Sequence, residues 1–242
     1  MVPWDSDIFG FPVAAISTID VKRIVSAQEE FDLFKIWVRE SSFEIVSCRL
    51  LHQQIEASMF LERNNFRFVE MVLHPTVMDL QTYPAAYTDM IVEPVCEAEL
   101  PTVVAMAEQS FSCERYHVDP RLDSKLANIR YGCWVRNSFY DLKQSLLKVR
   151  FPDGHTVAFF VVENKDDHSA YWHLTAVNPD FQGKKLGVHI WMTMINYHKA
   201  AGIERIETTI SARNSIVLNL YSKLNFRFTP PEMTFHWVKS DQ

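Results

Sequence analysis

Two of the chain's six glycines fall close together in Gln182-Gly183-Lys184-Lys185-Leu186-Gly187. An apolar run ends at Val177 just before this stretch, and a helical pattern follows it, so small residues stand where a helix begins. The first N–H groups of a helix lack intrahelical partners and carry the positive end of its dipole, an arrangement that suits a phosphate. Lys184 and Lys185 add positive charge at the same place. The order is neither the GxxxxGK[ST] of nucleoside triphosphate binding nor the GxGxxG of dinucleotide folds. A phosphorylated ligand of another kind is expected.

A second set of residues follows one helix and one strand later: Asn214, then Leu220-Tyr221-Ser222-Lys223-Leu224-Asn225-Phe226. Taken alone, Tyr221 is an ordinary half-buried core tyrosine and the glycine loop an ordinary turn. In this order and spacing the two stretches resemble the Gcn5-related N-acetyltransferase (GNAT) superfamily, over roughly residues 88 to 239. Its motifs are (Gln/Arg)-x-x-Gly-x-(Gly/Ala) and Asn-x6-Tyr-x-Lys-x-Gly-Phe. Two positions depart from them. Asn225 stands where the family has a glycine, and Asn tolerates a left-handed backbone. Lys185 stands where the family has the first loop glycine, and its Cβ favours an ordinary negative φ there.

The resemblance implies acyl transfer from acyl-CoA to an amine. Backbone groups of Ala176 and Val177 would pair with the pantetheine arm, as an extended ligand adds to a strand. Gln182, Gly183, Lys184, Lys185, Leu186 and Gly187 would take the diphosphate through backbone N–H groups, and Asn214 would orient the arm. Tyr221 would be the general acid, because a phenol stays protonated at neutral pH and can supply a leaving thiolate. His173 and His117 have the acidity range of a base, each with a packing role as the alternative and a water chain as competitor. Cys113, His117 and Asp119 lack a fourth ligand and paired-cysteine spacing, so no metal is expected.

These residues need elements to hold them. Strands are expected at 90–93, 144–149, 156–163, 170–177 and 205–209, and helices at 96–110, 123–138, 186–200 and 214–224. Residues 226–228 and 233–238 complete the sheet, with Pro230-Pro231 as a turn. The sum is an α/β (α+β) fold with a mixed, mostly antiparallel central sheet flanked by helices.

An internal echo extends the plan toward the N-terminus. Phe60 to Phe68 resembles Leu220 to Phe228, and at the same offset Phe43 to Cys48 falls on Ile203 to Thr208. Chemistry does not carry over: Leu61 stands for Tyr221, Gln54 for Asn214, and 22–27 contains no glycine. Residues 1–82 therefore read as a degenerate GNAT-like half and 83–242 as the working half, divided in the proline-containing stretch 79–87.

Composition fits a soluble globular chain, with 48% apolar and 22% charged residues. A formal charge of −6 and the lack of a basic run exclude a general nucleic-acid surface. No stretch reaches membrane length, and no leader pattern precedes Val2-Pro3-Trp4. Four scattered cysteines, Cys48, Cys96, Cys113 and Cys133, read as buried free thiols in a reducing, cytoplasmic compartment.

For the acceptor, Trp4-Asp5-Ser6-Asp7-Ile8-Phe9-Gly10-Phe11-Pro12, Arg115-Tyr116-His117-Val118-Asp119-Pro120-Arg121 and Tyr131-Gly132-Cys133-Trp134 are similar to the dTDP-fucosamine acetyltransferase group. That likeness implies a dTDP-linked amino-dideoxy sugar as acceptor, in polysaccharide (O-antigen) biosynthesis. Arg115, Tyr116 and Arg121 would bind it, and a homodimer is an open expectation. The acyl group, acetyl or longer such as hydroxybutyryl, is left open by the sequence. So are two rivals: an acyltransferase acting on a protein N-terminus or small amine, and a non-catalytic acyl-CoA-binding protein.

Overall fold

The computed structural model describes residues 1–21, 24–84, 86 and 88–239. In chain order its first elements are α1 (Pro3–Phe9), β1 (Val13–Ile16), α2 (Ile24–Glu40), β2 (Ile45–Leu51), α3 (Ile55–Arg63) and β3 (Arg67–Val77). Then come β4 (Ile91–Pro94), α4 (Leu100–Ser110), α5 (Arg115–Val118), α6 (Ser124–Tyr140), β5 (Gln144–Arg150), β6 (Thr156–Asp166) and β7 (Ser169–Val177). The chain continues through α7 (Gly187–Ala200), β8 (Arg205–Thr208), β9 (Ile210–Ser211), α8 (Ser215–Lys223) and β10 (Arg227–Val238).

Contacts divide these elements into two compact units: Met1–Val72 with Cys113–Leu126 and Pro230–Gln242, and Leu73–Ser112 with Ala127–Thr229. This differs from the expected cut at residue 82. The reason is hydrogen bonding: β10 runs antiparallel to β2 from Glu232 opposite Leu51 to Val238 opposite Ile45, which draws the C-terminal strand to the first unit. Of the expected boundary stretch, Ala85 and Tyr87 lie outside the described residues, as do Lys22 and Arg23 of the stretch without glycine.

In the first unit the strand order is β1-β2-β10-β3, with β1 parallel to β2. Its core gathers Phe31, Phe43, Phe60, Leu61, Phe66 and Phe235. In the second unit the order is β3-β8-β7-β6-β5-β4. Thr156–Val162 of β6 is a β-branched and aromatic run, buried from Val157 to Val162, as a central strand covered on both faces should be. One face packs on Trp172, Trp191, Ile195 and Tyr221, and the other on Val103, Ala107, Tyr131 and Val135.

Pro230-Pro231 is no turn: β10 passes straight through both prolines. Proline fits extended backbone wherever its missing N–H is not called on, and pairing with β2 starts only at Glu232, after the Pro231 carbonyl has accepted the His52 N–H at 3.0 Å. The thiols also differ from expectation, since only Cys48 is buried, Cys96 is exposed and the other two are half-buried. Burial pushes the Cys48 thiol up to about 11. Among the described residues no helix is long and apolar enough to cross a membrane.

Candidate functional site

The second unit builds its site where two parallel strands part. On one edge β7 pairs with β6 along its length, from Asp166 opposite Ser169 to Ala158 opposite Val177. On the other edge it pairs with β8 only from Ser169 opposite Arg205 to Trp172 opposite Thr208. The last rung is closed by Thr208 Oγ1, which donates to the Trp172 carbonyl at 2.8 Å. Beyond it Ala176 and Val177 continue the strand with no β8 partner among the described residues, leaving an edge able to hydrogen-bond an extended ligand. The β6–β7 register shifts between Trp172 and Leu174, so His173 sits at a bulge, a device that re-aims a side chain.

The loop after β7 is pinned by Asn178, whose amide donates to the Thr156 carbonyl at 3.1 Å and whose Oδ1 accepts the Asp180 N–H at 3.1 Å. The Gln182 side chain reaches back to the Val177 carbonyl at 3.0 Å, and its N–H is committed to the Pro179 carbonyl. Gln182 thus shapes the turn with both its side chain and its N–H. Gly183 has φ +74° and Lys185 φ +61°. The expected negative φ at Lys185 is therefore wrong: the turn keeps the left-handed step that a glycine takes readily, and Lys185 bears its cost, about 1 kcal/mol or more. Residues 182 to 185 are exposed, and Lys184 places its ammonium 4.8 Å from the Phe181 ring centroid.

Helix α7 opens directly from this turn, its first bond running from the Ile190 N–H to the Leu186 carbonyl at 3.0 Å. The N–H groups of Gly187, Val188 and His189 occupy the positions that a helix start leaves without internal partners. At Gly187 a Cβ would meet Leu220 Cδ2 at 3.3 Å, so the small residue lets α7 start close against α8. An open helix start and close helix packing share one glycine.

Asn214 caps α8, its Oδ1 accepting the Val217 N–H at 3.2 Å, which leaves its amide N–H2 as the donor side. Seven residues on, Tyr221 is only 2% exposed and packs on Phe226, with ring centroids 4.8 Å apart. Burial raises its pKa, opposed by its polar neighbours Trp191, Thr208 and Thr175. Thr208 ends β8 and Thr175 lies in the part of β7 beyond the last rung, so the phenol is enclosed at the parting of the strands. Beside it the Tyr171 hydroxyl hydrogen-bonds Thr209 Oγ1. His173 Nε2 lies 2.6 Å from Glu163 Oε2, with both side chains about one-fifth exposed.

The other sequence candidates lie in the first unit. Tyr116, 1% exposed, donates to Asp5 Oδ2 at 2.8 Å, and Arg115 lies 3.8 Å from the same carboxylate and over the Tyr116 ring. Arg121 grips Asp119 with two 2.8 Å bonds, and Asp119 Oδ2 meets His236 Nδ1 at 2.9 Å. Arg115, Tyr116 and Arg121 are thus brought together, each engaged by a buried carboxylate or that carboxylate's partner. His117, in α5, has its ring 3.5 Å from Glu114, the residue just before that helix. Among the described residues no three His, Cys, Asp or Glu side chains gather as a metal site.

Sequence reasoning missed Trp191, Glu163, Thr175, Thr208 and the Asp119–His236 pair. Trp191 lies among apolar helix positions and reads as core. Asp119 and His236 are remote in the chain, and only the fold joins them.

A strand edge that parts from its neighbour, a glycine-opened helix start and a buried phenol near the parting are features that an acyl-CoA-dependent transferase needs. Residues 107–226 match the acetyltransferase (GNAT) family. This segment, just under half of the chain, is of that family, which supports an acyl-CoA-dependent N-acyltransferase. It is 24% identical, over 88% of its length and 71% of the relative's, to the spore coat polysaccharide biosynthesis protein SpsD of Bacillus subtilis. Among solved structures it is similar in fold to a GCN5-related N-acetyltransferase from Sphaerobacter thermophilus, with TM-score 0.65, 11% identity and coverage of 89% and 69% of the two chains. A tandem GNAT protein from the clavulanic acid biosynthesis pathway aligns with TM-score 0.60 and 12% identity over 93% of this chain and 74% of that one.

Proposed function

We propose that this enzyme acylates the amino group of a dTDP-linked amino-dideoxy sugar, with acetyl-CoA or a longer acyl-CoA as donor. The observation that carries the chemistry is the Tyr221 phenol at the parting of β7 and β8, beside the strand edge at Ala176 and Val177. The sugar acceptor is supported by likeness to a relative named for polysaccharide biosynthesis and by the Arg115-to-Arg121 stretch.

Acyl-CoA supplies a thioester carbonyl. The β7 edge and Asn214 hold the donor arm, and the helix start after Gln182 takes its diphosphate. Tyr221 gives its phenolic proton to the departing sulfur while the acceptor nitrogen takes the acyl group. His173 is the proposed base for that nitrogen: Glu163 orients its ring and the bulge turns it out of the regular pleat. Arg115 and Arg121 present partly exposed guanidinium groups to the acceptor phosphates, with Tyr116 as their support. Residues 1–82 are proposed as a degenerate GNAT-like half, in keeping with the tandem protein's fold.

Thiol release from acetyl-CoA and a longer acyl-CoA, with dTDP-amino sugars against peptide and small-amine acceptors, tests this reading. Turnover with the nucleotide sugars and its loss in Tyr221→Phe are expected. Turnover confined to peptides or simple amines would overturn the sugar assignment. Full turnover in His173→Ala would hand the base role to water.

A further inference from the structure

The acid in this site is deeply buried, which creates a problem for its chemistry. Once Tyr221 gives up a proton, a phenolate is left in a place almost closed to water. Burial alone pushes the phenol above its ordinary pKa near 10, whereas a thiol lies near 8.5, so the transfer runs uphill. A buried oxyanion needs donors that are already in place.

One such donor has no other assignment. Trp191, on the second turn of α7, is 2% exposed, and its indole Nε1 is sealed from solvent without a hydrogen-bond partner among the described residues. An orphaned buried N–H costs about 1–3 kcal/mol, so it calls for an explanation. Its ring meets Tyr221 edge to face, with centroids 6.3 Å apart at 75°. Of the two threonine hydroxyls near Tyr221, those of Thr175 and Thr208, Thr208 Oγ1 spends its proton on the Trp172 carbonyl.

We propose that Trp191 is a positioning residue for the general acid, its indole N–H held in reserve for the Tyr221 oxygen as charge develops there. The proposal rests on the Tyr221 reading above. In the step itself the amine nitrogen bonds to the acyl carbon, the carbon–sulfur bond breaks and the sulfur takes the Tyr221 proton. The base keeps the proton lost by the nitrogen until solvent returns one to the phenolate. Trp191 transfers nothing; it strengthens one hydrogen bond while the charge lasts.

The test compares Trp191→Phe with a protein carrying benzothienylalanine at position 191, which keeps the bicyclic shape and lacks the N–H. Both should bind acetyl-CoA with unchanged affinity and lose about 10- to 100-fold in kcat, the worth of a hydrogen bond to a charged group. The alkaline limb of the kcat profile should move to higher pH, and neither change should add to the loss already caused by Tyr221→Phe. In the ligand-free protein, the Trp191 indole 15N–1H resonance should shift in Tyr221→Phe. Wild-type kcat and an unmoved limb in the benzothienylalanine protein, or losses that add to those of Tyr221→Phe, would overturn the proposal while leaving Tyr221 as acid. Undiminished turnover in Tyr221→Phe would remove the acid reading, and this one with it.

Discussion

The turn from Gln54 to Phe66 and the turn from Asn214 to Phe226 share one backbone and differ in chemistry. Helix α3 runs Ile55–Arg63 and α8 runs Ser215–Lys223, each followed by an asparagine with positive φ, +65° at Asn65 and +53° at Asn225. The N–H of the closing phenylalanine reaches back 3.0 Å in both, to Leu61 in one and to Tyr221 in the other. Both closing rings are buried. At the opening end the turns diverge: Asn214 caps its helix through Val217, whereas the Gln54 side chain turns away to accept the Leu51 N–H. Helix ends and apolar anchors thus preserve the shape, and two exchanges, Gln54 for Asn214 and Leu61 for Tyr221, set the turns apart.

The largest test of that contrast is catalytic. Tyr221→Phe should cost about 10²- to 10⁴-fold in kcat, the worth of a general acid, with unchanged circular dichroism, whereas Leu61→Met in the first unit should leave kcat alone. Thiol release measures both.

A second contrast concerns acid. Each unit buries one histidine held down to about 4: His198, where burial is the cause and the Trp172 indole N–H occupies Nε2 at 3.0 Å, and His236, where burial outweighs its Asp119 contact. Folded, these rings bind fewer protons than in the unfolded chain, where the pKa is near 6.5. Their stabilisation is complete above about pH 6.5 and is lost as pH falls toward 4, by up to about 3 kcal/mol each. Urea unfolding across that window should show the loss, and His198→Gln should flatten its share. An unchanged slope would put the burial argument in doubt.

Smaller effects compare the left-handed asparagines. Asn65→Ala and Asn225→Ala should each destabilise by about 1 kcal/mol, and Asn→Gly at either site should not, by thermal or urea unfolding. Unequal losses would break the shared-backbone comparison. Smallest is the cap: Asn214→Ala should cost about 1 kcal/mol, and Gln54→Ala less because that side chain caps nothing.

Much of the second unit was legible because its signals are local. β-branched runs and Asn225 before Phe226 each act over a few residues, and the strands and helices fall within a few positions of expectation. Pro230-Pro231 misled because proline disfavours a ladder only where its N–H is needed, and need depends on a partner strand the local sequence does not name. Lys185 misled because side-chain preference yielded to the path of the turn. The Arg115–Asp5 and Asp119–His236 pairs, and the unpartnered indole of Trp191, depend on residues remote in the chain, where spacing carries no information.

β10 sits between β2 and β3 in the first unit. During synthesis the ribosome must therefore deliver the whole second unit before residues 230–238 can fill that slot. Until then the inner edges of β2 and β3 stand open, each a template for a stray strand. The order of manufacture, more than the strength of the finished core, sets when this chain is most exposed to aggregation.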